Sequence, residues 1–154
     1  MTKKMATNKS DKSVKHLKVV LADTFVLYMK TYAVHWNFQG PKFFSVHKMT
    51  EMQYQELAEA IDEVAERIRA CGNEAPISLQ DILGSTDLKE MSRLHAASSD
   101  GGIADLAQTH LQLSKRAKEA IAAMEEENDV FSADMMTARV GAHEKAAWML
   151  KSIL

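Results

Sequence analysis

The chain has little of what staples, kinks or anchors a protein. One cysteine, Cys71, stands in 154 residues, so no intrachain disulfide can form and a reducing compartment suits the protein. Only two prolines, Pro41 and Pro76, and six glycines are present. Both prolines fall outside the long periodic stretches, so the breakers punctuate the chain without interrupting it. No apolar run approaches the roughly 18 residues of a membrane span, and no apolar stretch of signal-peptide length follows the first lysines. The expectation is a cytoplasmic protein with no membrane partner. A chain of this length with 46% hydrophobic residues suits one globular domain, which buries roughly 68–70% of its unfolded surface.

Charge is nearly balanced overall at −2, but its placement is uneven. Six lysines (Lys3, Lys4, Lys9, Lys12, Lys15 and Lys18) face Asp11 alone in the first 18 residues, which gives that segment +5 and leaves −7 on the remainder. Such asymmetry points to a basic tail that touches polyanions while the body does something else. Residues 1–12 read as a flexible basic arm and 13–154 as the folded domain.

The periodicity of the domain is helical. Residues 13–37 carry apolar side chains on nearly every face, which requires cover from several sides, a second subunit included. Residues 41–71 place Phe44, Val46, Met49, Met52, Leu57, Ile61, Val64, Ala65 and Ile68 at the 3 and 4 spacing of a core stripe, with Pro41 suited to the first helical position and Gly72 to a left-handed cap. Residues 73–100 break the pattern, apart from a short helical piece begun by Ser78 and Asp81 in the manner of a capping box. A third helix spans 102–126, and a fourth runs from Asn128 or Asp129 to about residue 152. Short, long and short connections between four helices are the connectivity of ferritin-like bundles. The fold class is therefore all-α: a ferritin-like four-helix bundle whose long crossover, between the second and third helices, carries a short helix.

Four residues carry the chemistry. His35, His47, Asp62 and Glu66 are separated by 12, 15 and 4 positions. The carboxylates share one helix face a turn apart, beside an apolar stripe where unpaired charge is costly. The histidines flank a turn at Gly40 and Pro41 that brings their imidazoles together. This mixed nitrogen and oxygen set suits a borderline divalent ion such as Fe(II), Zn or Mn. Yet 15 residues of helix span about 22 Å, while a ligand bond is about 2.0–2.2 Å. Either the four are unrelated, or a two-fold axis brings the histidine pair of one chain against the carboxylate pair of another. No Glu-x-x-His occurs before any of the six histidines, which argues against a di-iron site built inside one bundle.

The run His35-Trp36-Asn37-Phe38-Gln39-Gly40-Pro41, then Phe43-Phe44-Ser45-Val46-His47, then Glu56-Leu57-Ala58-Glu59-Ala60-Ile61-Asp62-Glu63-Val64-Ala65-Glu66-Arg67 resembles the signature of Dps, the DNA-binding proteins of starved cells or miniferritins. The resemblance implies an intersubunit ferroxidase centre in which His35, His47, Asp62 and Glu66 of facing chains bind iron. It also implies that Fe(II) is oxidised, preferably with hydrogen peroxide, and stored as ferric mineral in a hollow dodecamer built from two-fold dimers, which protects DNA. Zn or Co would accept the same ligands. Glu51, one turn after His47, stands where the family often has a further carboxylate for a second iron. Trp36 resembles the aromatic neighbour of the site, equally readable as an interface residue. Glu125, Glu126, Glu127, Asp129 and Asp134, at the junction of the third and fourth helices, match the region that lines iron-entry pores. Lys3, Lys4, Lys9 and Lys12 make non-specific DNA the implied partner of the arm and the nucleoid its implied place. The alternative reading makes DNA compaction the main act and iron chemistry secondary. His16, His95, His110 and His143 read as structural or solvent-facing, and the methionines as core filler.

Overall fold

The structure, a computed structural model, describes residues 11–97 and 99–154. These form six helices and no strand: α1 (Asp11–Asn37), α2 (Phe43–Ala70), α3 (Leu79–Gly84), α4 (Arg93–Ala97), α5 (Ser99–Glu126) and α6 (Val130–Lys151). The four long helices make the bundle, and α3 and α4 lie in the crossover. No helix among the described residues is long and apolar enough to cross a membrane. The segment from residue 1 to 10, with Lys3, Lys4 and Lys9, lies outside the described residues.

Local chemistry sets the helix ends. Gly40, at φ 118°, adopts a left-handed conformation that costs glycine little, and Phe43 N–H donates to its carbonyl at 3.0 Å. Pro41 sits in this turn and not at the first helical position, since α2 begins at Phe43 behind Lys42, which offers no side-chain cap. At the other end Gly72, at φ 82°, closes the helix as the sequence implies. Asn73 N–H reaches Ile68 O at 3.1 Å and Gly72 N–H reaches Arg69 O at 2.9 Å, the paired bonds of a Schellman cap. In the crossover, Ser78 Oγ accepts from Asp81 N–H at 3.1 Å, while the Asp81 carboxylate accepts from Ile77 N–H at 3.0 Å. The capping box thus closes one residue early. Asp129, not Asn128, caps α6, accepting from Ser132 N–H at 3.2 Å, and Asn128 turns through φ 56°.

Two apolar clusters fill the bundle. One joins Leu17, Leu21, Val64, Ile68, Met124 and Met136; the other joins Leu27, Val34, Leu57, Ile103, Leu106 and Leu150 near the opposite end. Each such side chain contributes about 1.5–3 kcal/mol on burial. The crossover is pinned by ions. Arg116 of α5 donates to buried Asp23 of α1 at 2.7 Å and also binds Asp87, and Thr86 Oγ1 donates to Asp23 at 2.5 Å. Lys30, almost fully buried, donates to Lys89 O, Asp105 and Thr109 at 3.2, 2.9 and 2.9 Å.

The apolar stripe of α2 is only partly inside. Val46, Leu57, Val64 and Ile68 are buried, but Phe44 is 72% exposed and Met52 61%. Met29 and Trp36 of α1 and Ile77, Leu79 and Leu83 of the crossover are exposed as well, so α1, α2 and the crossover all present apolar side chains at the surface of the single chain.

Candidate metal centre

His35 ends α1 and His47 lies in the second turn of α2, so the Gly40 turn folds one ring onto the other. Their centroids are 3.8 Å apart and the planes 17° from parallel. Each Nδ1 approaches the other residue's backbone carbonyl at 3.0 Å, and that of His35 also approaches Thr50 Oγ1 at 3.1 Å. A carbonyl can only accept, so both Nδ1 atoms carry the proton and both Nε2 atoms keep a lone pair. Neither Nε2 has a hydrogen-bond partner among the described residues. A hydrogen bond from the other ring nitrogen to a carbonyl is what orients metal-binding imidazoles. Burial first, then the neighbouring His47, pushes the pKa of His35 below its ordinary value, against the pull of the His47 carbonyl. The ring is held neutral, as a ligand must be.

Glu51 lies one turn on and is paired with Lys48 at 2.9 Å. That hydrogen bond and the Lys48 charge hold its carboxyl below the usual range, with smaller pulls from His35 and His47. Asp62 and Glu66 also sit on α2, farther along the same unbroken helix. The helical reading beside an apolar stripe anticipates a costly environment for them; in the single chain both are exposed, and neither has an ion pair or hydrogen bond among the described residues. Glu66 borders a groove between α2 and α6 that Asp134 also lines. Among the described residues no cluster of three or more His, Cys, Asp or Glu is placed to hold a metal within one chain. The histidine half is thus brought together and the carboxylate half stands apart from it.

Three acids at the α5–α6 junction have partners inside the chain. Glu126 lies 3.4 Å from Lys12, the one described lysine of the four assigned to the arm, and helical in α1. Glu127 accepts from Ser13 N–H and Oγ–H at 2.9 and 2.7 Å, which places a carboxylate at the positive end of α1. Asp129 accepts from Arg67 at 2.6 Å. Burial raises its pKa, but the Ser132 and Arg67 hydrogen bonds outweigh that and hold it low. Asp134 is exposed.

Two features escape a reading of single positions. Beside His35, Trp36, Tyr32 and Tyr54 form a stack, Trp36 on Tyr32 at 4.6 Å and Tyr32 on Tyr54 at 4.2 Å, with Tyr28 edge-on to Tyr32 at 4.9 Å and Tyr54 edge-on to His35 at 5.1 Å. Tyr32 precedes His35 by three positions and Tyr54 follows His47 by seven, helical intervals that were available as a signal. Second, His110 and His143, read as structural or solvent-facing, are both buried and joined at 2.9 Å.

Comparison with known proteins adds four findings. The family described as "Ferritin-like domain" matches residues 14–154. An uncharacterized low temperature-induced protein of Nostoc sp. is 37% identical over 87% of this chain and 75% of its own length. A DNA protection during starvation protein of Helicobacter pylori is 32% identical over 93% of this chain and 99% of its own. Among solved structures, a Dps protein of Vibrio cholerae O1, described as a member of a broad superfamily of ferritin-like diiron-carboxylate proteins, superposes with a TM-score of 0.87. It is 28% identical and covers 94% of this chain and 89% of its own.

Proposed function

The chain belongs to the Dps family of ferritin-like proteins, and from that premise we propose that it oxidises Fe(II) at centres shared between two copies and stores the ferric product. Iron storage and DNA protection are functions of the family at large. The observation that carries the reading for this chain is the reciprocal clamp of His35 and His47, which leaves two Nε2 lone pairs without a partner. Asp62 and Glu66, exposed and unpaired, are the other half of the site. They reach the histidines only across a two-fold interface, and the apolar surface of α1, α2 and the crossover is the face such an interface would cover.

Fe(II) is the substrate, and the donor set fits it. Neutral imidazole nitrogens accept the ferrous ion, and hard carboxylate oxygens favour the ferric ion that oxidation leaves. With hydrogen peroxide as oxidant, two Fe(II) lose one electron each, two protons are consumed and two waters form. The residues hold the ions, and Glu51 joins them if it exchanges Lys48 for metal. Zn or Co compete for the same atoms. A dodecameric shell is the store we propose, with Asp134 and the acids beside it near the entry route, and DNA held non-specifically by Lys3, Lys4, Lys9 and Lys12 in the cytoplasm or nucleoid.

Stopped-flow Fe(II) oxidation with peroxide and with air, on the wild type and on His35→Ala/His47→Ala, tests the reading. A loss of at least tenfold in the initial rate, with the assembly mass unchanged, is expected from the size of metal-shell effects. Equal rates would remove the histidines from the site.

A further inference from the structure

Inside the bundle lies a buried polar group that the iron chemistry does not use. Between Met136 and Leu150 the buried positions of α6 are Arg139, His143 and Ala147. His143 meets His110 of α5, Nδ1 to Nδ1, at 2.9 Å, and the two rings are 0% and 1% exposed. Arg139 Nη2–H donates to His143 Nε2 at 3.3 Å, and Glu56 of α2 binds its guanidinium.

These contacts fix the protons. A guanidinium has only donors, so His143 Nε2 offers its lone pair and carries its proton on Nδ1. That proton goes to His110 Nδ1, which leaves the proton of His110 on Nε2. The chain of donors therefore runs Arg139 to His143 to His110 and ends on a buried N–H with no partner among the described residues. Two more groups end the same way. Gln53 of α2 is 8% exposed and both its amide atoms are unpartnered, as is Arg139 Nε.

The cross-helix contacts bring these segments of α2, α5 and α6 alongside one another. Tyr54, next to Gln53, meets Tyr28 of α1 at 6.5 Å, and Lys30, two residues along α1, donates to Thr109, next to His110, at 2.9 Å. Gln53 is also one helical turn before Glu56, which holds Arg139. Three donor groups and one acceptor thus face the interior from α2, α5 and α6. Each left unmade carries the desolvation cost of a buried polar group.

We propose that the bundle interior holds an ordered-water site, in which water accepts from His110 Nε2–H and Arg139 Nε–H and donates to Gln53 Oε1. The chemistry selects water over its rivals. A divalent cation needs lone pairs, and this group presents N–H bonds beside a guanidinium charge. An anion would find donors, but Glu56 already neutralises Arg139 and burial keeps both imidazoles uncharged. Water both donates and accepts, and its usual requirement of about two to four polar partners is met. Bundle interiors are where ferritin-like proteins build metal sites from facing helices. Here Arg139 and the tautomers it dictates turn that location over to solvent.

The test is a crystal structure of the full-length assembled protein at a resolution that orders buried water, with a second crystal soaked in Co(II) and measured for anomalous scattering. The expected result is a water peak within about 3.2 Å of both His110 Nε2 and Gln53, with no anomalous peak there, and loss of that peak in Gln53→Leu. A direct Gln53–His110 hydrogen bond with no water between them, an empty void, or a metal or anion peak at this position would overturn the proposal.

Discussion

Mild acid should weaken this fold through His110 and His143. Burial, with the charge of Arg139, pushes the pKa of His110 down to about 3 and that of His143 well below its ordinary value. The unfolded chain binds protons on both near the ordinary 6.5, so it holds more protons than the native state at any lower pH. Stability from this source is complete above about pH 6.5 and is lost as pH falls toward the folded values. One pKa unit corresponds to about 1.4 kcal/mol, so a descent from pH 6.5 to 5.0 removes roughly 2 kcal/mol per histidine. The pair together loses about 2–4 kcal/mol, because the rings share one proton network. Guanidinium unfolding of the wild type and of His110→Gln/His143→Gln, at fixed protein concentration and at several pH values across that range, measures it. Every other titration, including that of His35, is common to both proteins and cancels in the difference. The wild type should lose about 2–4 kcal/mol more than the variant. Parallel curves would refute the assignment of buried, neutral histidines.

Other outcomes follow from named contacts. Arg67→Leu strips Asp129 of its 2.6 Å partner and Ser132 of a 2.8 Å bond, and removes the guanidinium from the Phe131 ring; calorimetry should find the midpoint lowered by roughly 2–10 °C, for about 1–3 kcal/mol. Gly72→Ala places a Cβ at φ 82° and should cost about 1 kcal/mol in chemical unfolding, with no effect on iron oxidation. Deleting residues 1–12 should abolish a mobility shift that the intact protein produces at low salt and loses at high salt. Equal retention by both forms would take the lysines out of DNA binding.

Much of the bundle was legible because helix ends and core stripes are local. Gly72 and the Leu57, Val64 and Ile68 stripe can be read from periodicity and cap chemistry, and they hold in three dimensions. Pro41 misleads because proline suits a turn as well as a first helical position, and the left-handed Gly40 demands the turn. The short α4 leaves no periodic trace although Ser92 caps it, its Oγ accepting from His95 N–H at 3.1 Å; five residues give no period to detect. The apolar neighbours of Asp62 and Glu66 suggest burial, but in the single chain those neighbours turn toward the core while the acids face out. The His110–His143 pair is beyond reach of pattern: 33 positions separate the two, and only the register of α5 on α6 makes them partners. For His35 and His47 the reverse holds, since a tight turn leaves two histidines 12 positions apart little choice but to meet.

The shared site is tested most directly by mixing two defective proteins. Subunits of His35→Ala/His47→Ala and of Asp62→Ala/Glu66→Ala, dissociated, combined and reassembled, should regain Fe(II) oxidation with peroxide, because half of each hybrid interface pairs intact histidines with intact carboxylates. In equal mixture about a quarter of the wild-type site number is expected if pairing is random and each two-fold interface carries two sites. Hybrid shells of normal mass that remain as inactive as either parent would contradict a centre divided between two chains.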